Sequence, residues 1–346
     1  DVWTRVPSSY AAFRIDGIAE DPIQGSDAVP DFVSLIAWDI DGSDTGGGVI
    51  GLTTTYYLTA DGYLDVGGGR QVYFGAGEII DSDIELDPYS LQRELPDGTV
   101  LNEPLYDLKS TLVHELGHML GMWHTPLNNL RADFTDPAVP VIVESQVLWL
   151  TDGAGNSRYV GATPTMFPFI FQVEQGDGTM MDGMGDLAPD DISGISWLYP
   201  QGTQSAFFNF AQSARTSART GSNIPTRPLW GAHIVAWADH DNNGVTPKIP
   251  LFSTMTGLYE DVTQLNRLGD FEFKYLWKQM ELPGQSGAFF NPGYAFTMSP
   301  LNQLSYERQA PIGIPPEDID IISGSAGHDT VFLSEVFHEV DNILDI

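Results

Sequence analysis

The chain of 346 residues contains no cysteine, so no disulfide closes its loops and no thiolate serves as nucleophile or metal ligand. Positive charge is scarce. There are 15 Lys and Arg against 47 Asp and Glu, a formal net charge of −32. The lysines are Lys109, Lys248, Lys274 and Lys278 alone. Such a field repels phosphate backbones and anionic bilayer surfaces, which argues against nucleic acid and acidic membranes as partners. It suits a secreted or cell-surface chain in salty or calcium-containing surroundings, although a surface kept soluble by charge accounts for any single Asp equally well. No apolar run approaches the ~20 residues of a membrane span. No secretory leader opens the sequence, so the numbering is expected to begin on a mature chain or part of one. Histidine is also rare, with seven in the chain, and before residue 200 they are His114, His118 and His124 only.

Those three fall in one run, HELGHMLGMWH, at residues 114–124. On a helix, positions four apart share a face, so His114 and His118 can aim their imidazoles at one point. Glu115 lies to the side of that pair, where it can hold a water against a metal without ligating it. Asp107 is the expected N-cap. Leu108, Leu112, Leu116 and Leu120 recur every four residues and predict an apolar stripe to bury. Gly121 is the expected stop, since glycine adopts the left-handed conformation without a Cβ clash. The turned chain then brings back His124 as a third ligand. Three neutral imidazoles with an open fourth position are the donor set of a catalytic zinc rather than a closed structural one. A bare HExxH arises in helices by chance; the extension through Gly121 to His124 separates this one from that background.

With these residues in place, the sequence resembles the metzincin zinc endopeptidases, and within them the matrixin-like branch of bacterial type. Met181, in GTMMD at 178–182, matches the methionine turn found beneath the metal in that group. LAPDDISGISWLYP at 187–200 is similar to the last helix of matrixin catalytic domains, and GEIIDSDIELDP at 77–88 to the strand before the zinc helix. The resemblance implies one zinc held by His114, His118 and His124, with Glu115 as general base and Met181 shaping the floor without bonding the metal. It also implies an edge strand over 49–58 that pairs with an extended peptide substrate. The opening DVWTRVP resembles the end of that family's first long helix, which would put the first strand and most of that helix before residue 1. Departures are clear. Without cysteine the thiol latency of some matrixins cannot operate within these residues, and they hold no second histidine cluster for a structural zinc. The family's Pro and Tyr after the methionine are replaced by residues 182–185, DGMG. The crossing from third ligand to methionine takes residues 125–180, with strand-like pieces at 141–150 and 159–173 and turn signals at 152–156 that predict a hairpin.

The fold class expected is α+β. A twisted mixed sheet, mostly parallel, lies over the zinc helix, followed by the methionine turn, a closing helix and then an all-β sandwich. Residues 1–200 make the protease-like domain, 201–225 a linker rich in Ser, Thr, Ala and Gln, and 226–346 the sandwich. In the first domain, 32–38 reads as a buried strand, 63–74 as a hairpin and 78–86 as the strand before the helix. Within the linker, the aromatic cluster at 207–210 predicts docking on a domain. Short alternating segments at 233–238, 270–275, 294–298 and 330–333 predict antiparallel strands, and GAHIVAWADHDNNG resembles carboxypeptidase-regulatory-like (transthyretin-type) modules. Asp239, Asp241 and Asn243 match the opening of a calcium loop, but position twelve is Pro250, and an ordinary Asx-rich turn is the other reading. The Asp- and Gly-rich loop at 39–48 carries the same two readings. The expected function is a secreted zinc endopeptidase acting on protein or peptide substrates, with self-association left open. The second reading, from another class, is a structural or adhesive surface protein that keeps the protease domain as a scaffold.

Overall fold

The computed structural model describes residues 2–18, 30–45, 49–92, 98–100, 106–125, 127, 130–133, 141–144, 148–151, 157–160, 164–167, 173–174, 180–181, 184–202, 207–215, 228–229, 232–238, 249–257, 267–281, 288–300 and 335–340. The chain divides into two compact units, one of residues 1–6, 11–123 and 170–186, the other of 7–10, 124–169 and 187–346. At the coarse level it is α+β, with small sheets and few helices.

The first unit opens with a 3₁₀ turn, Trp3–Arg5. Trp3 is fully buried and its indole N–H donates to the Val113 carbonyl at 2.9 Å. Then follow β1 (Ile36–Trp38), β2 (Gly51–Tyr57), the hairpin β3 (Gly62–Asp65) and β4 (Gln71–Phe74), β5 (Ile79–Leu86), α1 (Pro88–Leu91) and α2 (Leu108–Met119). β5 lies between β1, to which it is parallel, and β2, to which it is antiparallel. The sheet is therefore mixed, as expected, but with one parallel and one antiparallel pairing it is not mostly parallel. β1 is not the buried strand that its apolar run predicts, because Ile36 and Trp38 are exposed. Apolar composition in a short run marks a strand without saying what covers it.

Both faces of β5 are buried, and the period of two sorts them. Ile84 and Leu86 join Leu91 in a small core against which Leu112, Leu116 and Met119 of α2 pack. On the other face Asp81 accepts the N–H groups of Asp31 and Phe32, at 2.8 and 3.1 Å, and Asp83 accepts that of Leu35 at 2.9 Å. Buried carboxylates persist there because backbone donors replace their water.

The ends of α2 follow their residue types. Asp107 accepts the Ser110 N–H at 2.6 Å, capping the first turn. Gly121 takes φ 85°, and the N–H groups of Gly121 and Met122 turn back to the carbonyls of His118 and Gly117. Both bonds belong to a Schellman ending. The leucine stripe is less buried than its spacing predicts, since Leu108 is exposed and Leu112 and Leu116 are half-buried. The helix instead buries the face carrying Ser110, Thr111, Val113, His114, Glu115 and Gly117.

Residues 125–180 contribute two antiparallel pairs, β6 (Leu130–Asp133) with β7 (Val141–Glu144) and β8 (Leu148–Thr151) with β9 (Ser157–Val160). The second is the hairpin read from the turn signals. The long strand expected over 159–173 is not formed: β9 stops at Val160 and residues 165–167 turn. β10 (Val173–Glu174) pairs with β11 (Met180–Met181) in the first unit.

In the second unit, α3 (Pro189–Leu198) precedes β12 (Phe207–Ser213), β13 (Ala232–Ala238), β14 (Ile249–Met255), β15 (Asp270–Trp277), β16 (Met280–Glu281), β17 (Phe289–Phe290), β18 (Tyr294–Pro300) and β19 (Glu335–Val340). The order β14-β13-β18-β19 is antiparallel throughout, and β12 pairs antiparallel with β15. One apolar core draws on both sheets, with Phe210 stacked on Phe296 at 4.5 Å and Phe252 edge-on to Trp277 at 6.0 Å. The aromatic cluster at 207–210 is thus strand β12, docked through Phe207 and Phe210. α3 belongs with these strands: Trp197 packs on their core, the Lys274 ammonium sits 4.0 Å over its ring, and the Ser193 hydroxyl donates to the Lys274 carbonyl at 2.6 Å. The strand expected at 330–333 lies outside the described residues. Among those described, no helix is long and apolar enough to cross a membrane.

Candidate metal centre

Four-residue spacing places His114 and His118 one above the other on α2, with ring centroids 4.7 Å apart and Nε2 atoms 3.0 Å apart. The Gly121 turn ends the helix in time to bring back His124. A ligand nitrogen from each of His114, His118 and His124 lies within 4.8 Å of the others, and this is the one such group among the described residues. The three histidines can hold a metal ion.

Their chemistry fits that role. His118 Nδ1 lies 2.8 Å from the Met122 carbonyl oxygen. A carbonyl only accepts, so Nδ1 carries the proton and Nε2 presents a lone pair, the tautomer a metal requires. Burial lowers the His118 pKa against the effect of that bond, and so favours the neutral ring. His114 is buried, which leaves its Nε2 facing His118 rather than water.

Glu115 is buried on the same helix, under β2. Its Oε2 accepts the Thr53 hydroxyl at 2.6 Å. Burial pushes this carboxyl up to about 7, although the Thr53 bond works in the opposite direction. A carboxyl in that range can take and return a proton near neutral pH.

Beyond the third histidine, Thr125 is tied down within the second unit. Its hydroxyl donates to Asp190 at 2.6 Å and lies 2.9 Å from the Ser253 hydroxyl, while its N–H donates to the Met166 carbonyl at 2.9 Å. Asp190 also accepts the Ser253 N–H at 2.7 Å. Next to it, Asp191 accepts the N–H groups of Thr165, Met166 and Ala188. Burial raises both carboxyls, Asp190 to about 6 and Asp191 to about 7, with the Asp190 charge adding to the Asp191 shift.

Of the other residues marked in the sequence, Met181 falls in β11, its backbone opposite Val173; its side chain lies outside the description. Asp239, Asp241 and Asn243 lie outside the described residues. In the loop after β1, turn chemistry accounts for the acid. Asp39 accepts the N–H groups of Gly42, Ser43, Asp44 and Thr45 and the Thr45 hydroxyl, which directs its lone pairs at donors rather than at a cation.

Sequence reasoning missed Thr53, Gly51, Thr125, Asp190 and Ser253. Alternation along β2 puts Gly51 and Thr53 on one face, but only the register against β5 turns that face toward Glu115. Compared with protein-family profiles, with curated proteins and with solved structures, the chain matches none.

Proposed function

We propose that this chain is a secreted zinc-dependent endopeptidase of metzincin type, matrixin-like in residues 1–200, with a β-sandwich over 226–346. One observation carries the reading: three imidazole nitrogens converge at the end of α2, beside a carboxylate held under an edge strand. His114, His118 and His124 would hold the zinc. When bound, it supplies a Lewis acid that acidifies water and polarises a peptide carbonyl. Glu115 takes the proton from the attacking water and returns it to the departing amine nitrogen. The Met122 carbonyl keeps His118 in the ligating tautomer. β2 lies at the edge of its sheet among the described residues, the position from which a strand pairs with an extended peptide. In this reading Met181 lies in the methionine turn, and the acidic surface disfavours anionic partners.

The test is metal content by mass spectrometry, together with cleavage of a mixed-sequence fluorogenic peptide library with and without a hydroxamate. About one zinc per chain with hydroxamate-sensitive cleavage supports the proposal. Zinc without cleavage would favour a retained scaffold in a structural or adhesive protein, and absence of zinc would overturn the peptidase reading.

A further inference from the structure

The geometry points to β2 as the element that positions Glu115, through the Thr53 hydroxyl and through the space left by the missing side chain of Gly51. The inference rests on the assignment of Glu115 as general base. Thr53 Oγ1 lies 2.6 Å from Glu115 Oε2 and 3.1 Å from the Glu115 carbonyl oxygen. A hydroxyl has one proton, and the shorter distance assigns it to the carboxylate. Thr53 thereby fixes which way the carboxylate faces.

Gly51 acts by subtraction. A Cβ there would stand 2.6 Å from Glu115 Oε1, 2.9 Å from Cγ and 3.0 Å from Cδ. These three nearest atoms all belong to the Glu115 side chain, which can swing away. Gly51 has no positive φ, so alanine meets no backbone penalty. Gly51→Ala should therefore fold and displace the carboxylate. Gly51 and Thr53 are two apart on one strand, opposite Leu86 and the fully buried Ile84 of β5. That register presents both to α2, and a slip of one residue would present Leu52 and Thr54 instead. The strand offered to substrate is thus also the strand that holds the base.

The experiment compares Thr53→Val, Thr53→Ser and Gly51→Ala with the wild type in zinc-loaded protein, reading kcat and KM on a cleaved peptide and zinc per chain. Valine keeps the shape and removes the hydroxyl; serine keeps the hydroxyl. Loss of a hydrogen bond to a charged group predicts a kcat lower by about tenfold to a hundredfold in Thr53→Val, with KM and zinc unchanged. Thr53→Ser should restore most of that rate, and Gly51→Ala should fall with Thr53→Val. A second readout needs neither metal nor turnover. In metal-free protein, Thr53→Val should lower the melting temperature when Glu115 is present and much less in a Glu115→Ala background. Wild-type kcat in Thr53→Val, or equal impairment in Thr53→Ser, would overturn the positioning role. So would an identical melting shift in both backgrounds. If the wild type neither binds zinc nor cleaves, the peptidase reading fails instead, and the melting comparison still decides whether Thr53 holds Glu115.

Discussion

The two units each contain a central strand buried on both faces, and the two strands are built from opposite materials. β5 buries Asp81, Ser82, Asp83 and Glu85 around Ile84 and Leu86; β13 buries Ala232, Ile234, Val235, Ala236 and Ala238, with His233 as its single buried polar side chain. A buried carboxylate is tolerable only where particular donors meet it, so the first unit is ordered by directional bonds such as those of Asp81, Asp83 and Asp39. The strands of the second are packed by area and rings, which any well-shaped apolar side chain can supply, and its directional bonds gather at Asp190 and Asp191 of α3. Glu115, His114 and His118 belong to the first unit, while His124 is counted with the second.

Four substitutions would break or sharpen that contrast. The largest effect is expected at Glu115→Ala, with turnover lower by about 10²–10⁴-fold, roughly 3–5 kcal/mol in the barrier, and the metal retained. Wild-type cleavage by that variant would remove the assigned base. Phe296→Ala, in the apolar interior, should cost about 3–5 kcal/mol in urea unfolding and leave zinc content alone. If zinc were lost in step with stability, the division of labour would not hold.

Asp39→Ala removes a directional centre and should cost about 1–3 kcal/mol. Burial alone would raise this carboxyl. The Thr45 N–H and hydroxyl, with Asp44 and Asp41, outweigh it and take it from 3.8 to about 2. A folded-state pKa below the unfolded one contributes stability above about pH 4, which is lost as pH falls toward 2. Melting temperatures across that window should drop less steeply in the variant; parallel curves would show that Asp39 is not the acid-sensitive group. The smallest effect is expected at Asp107→Ala. Losing the cap on α2 should cost about 1 kcal/mol in thermal unfolding and leave the metal in place. A neutral result there would mean that packing, not capping, sets the start of this helix.

Read from the chain alone, α2 was legible with its cap at Asp107 and its stop at Gly121, as were the histidine spacing, the hairpin read at 63–74 and the turn at 152–156 between β8 and β9, though not the bounds of those two strands. Each depends on residues close together in sequence. Burial was less legible. Leucines every four residues announced a stripe that proves half-buried, and the apolar run at 36–38 became an exposed strand, because cover comes from elsewhere in the fold.

The sequence by itself determined where the imidazoles would meet, since helical pitch and one glycine turn bring His114, His118 and His124 together over eleven consecutive positions. Only the tertiary structure decided what stands around them. Thr53 is 62 residues from Glu115, and Thr125 is 65 from Asp190 and 128 from Ser253. A threonine, a serine or a glycine gives no local sign of such a partner. Strand register and packing choose it, and these depend on the whole chain.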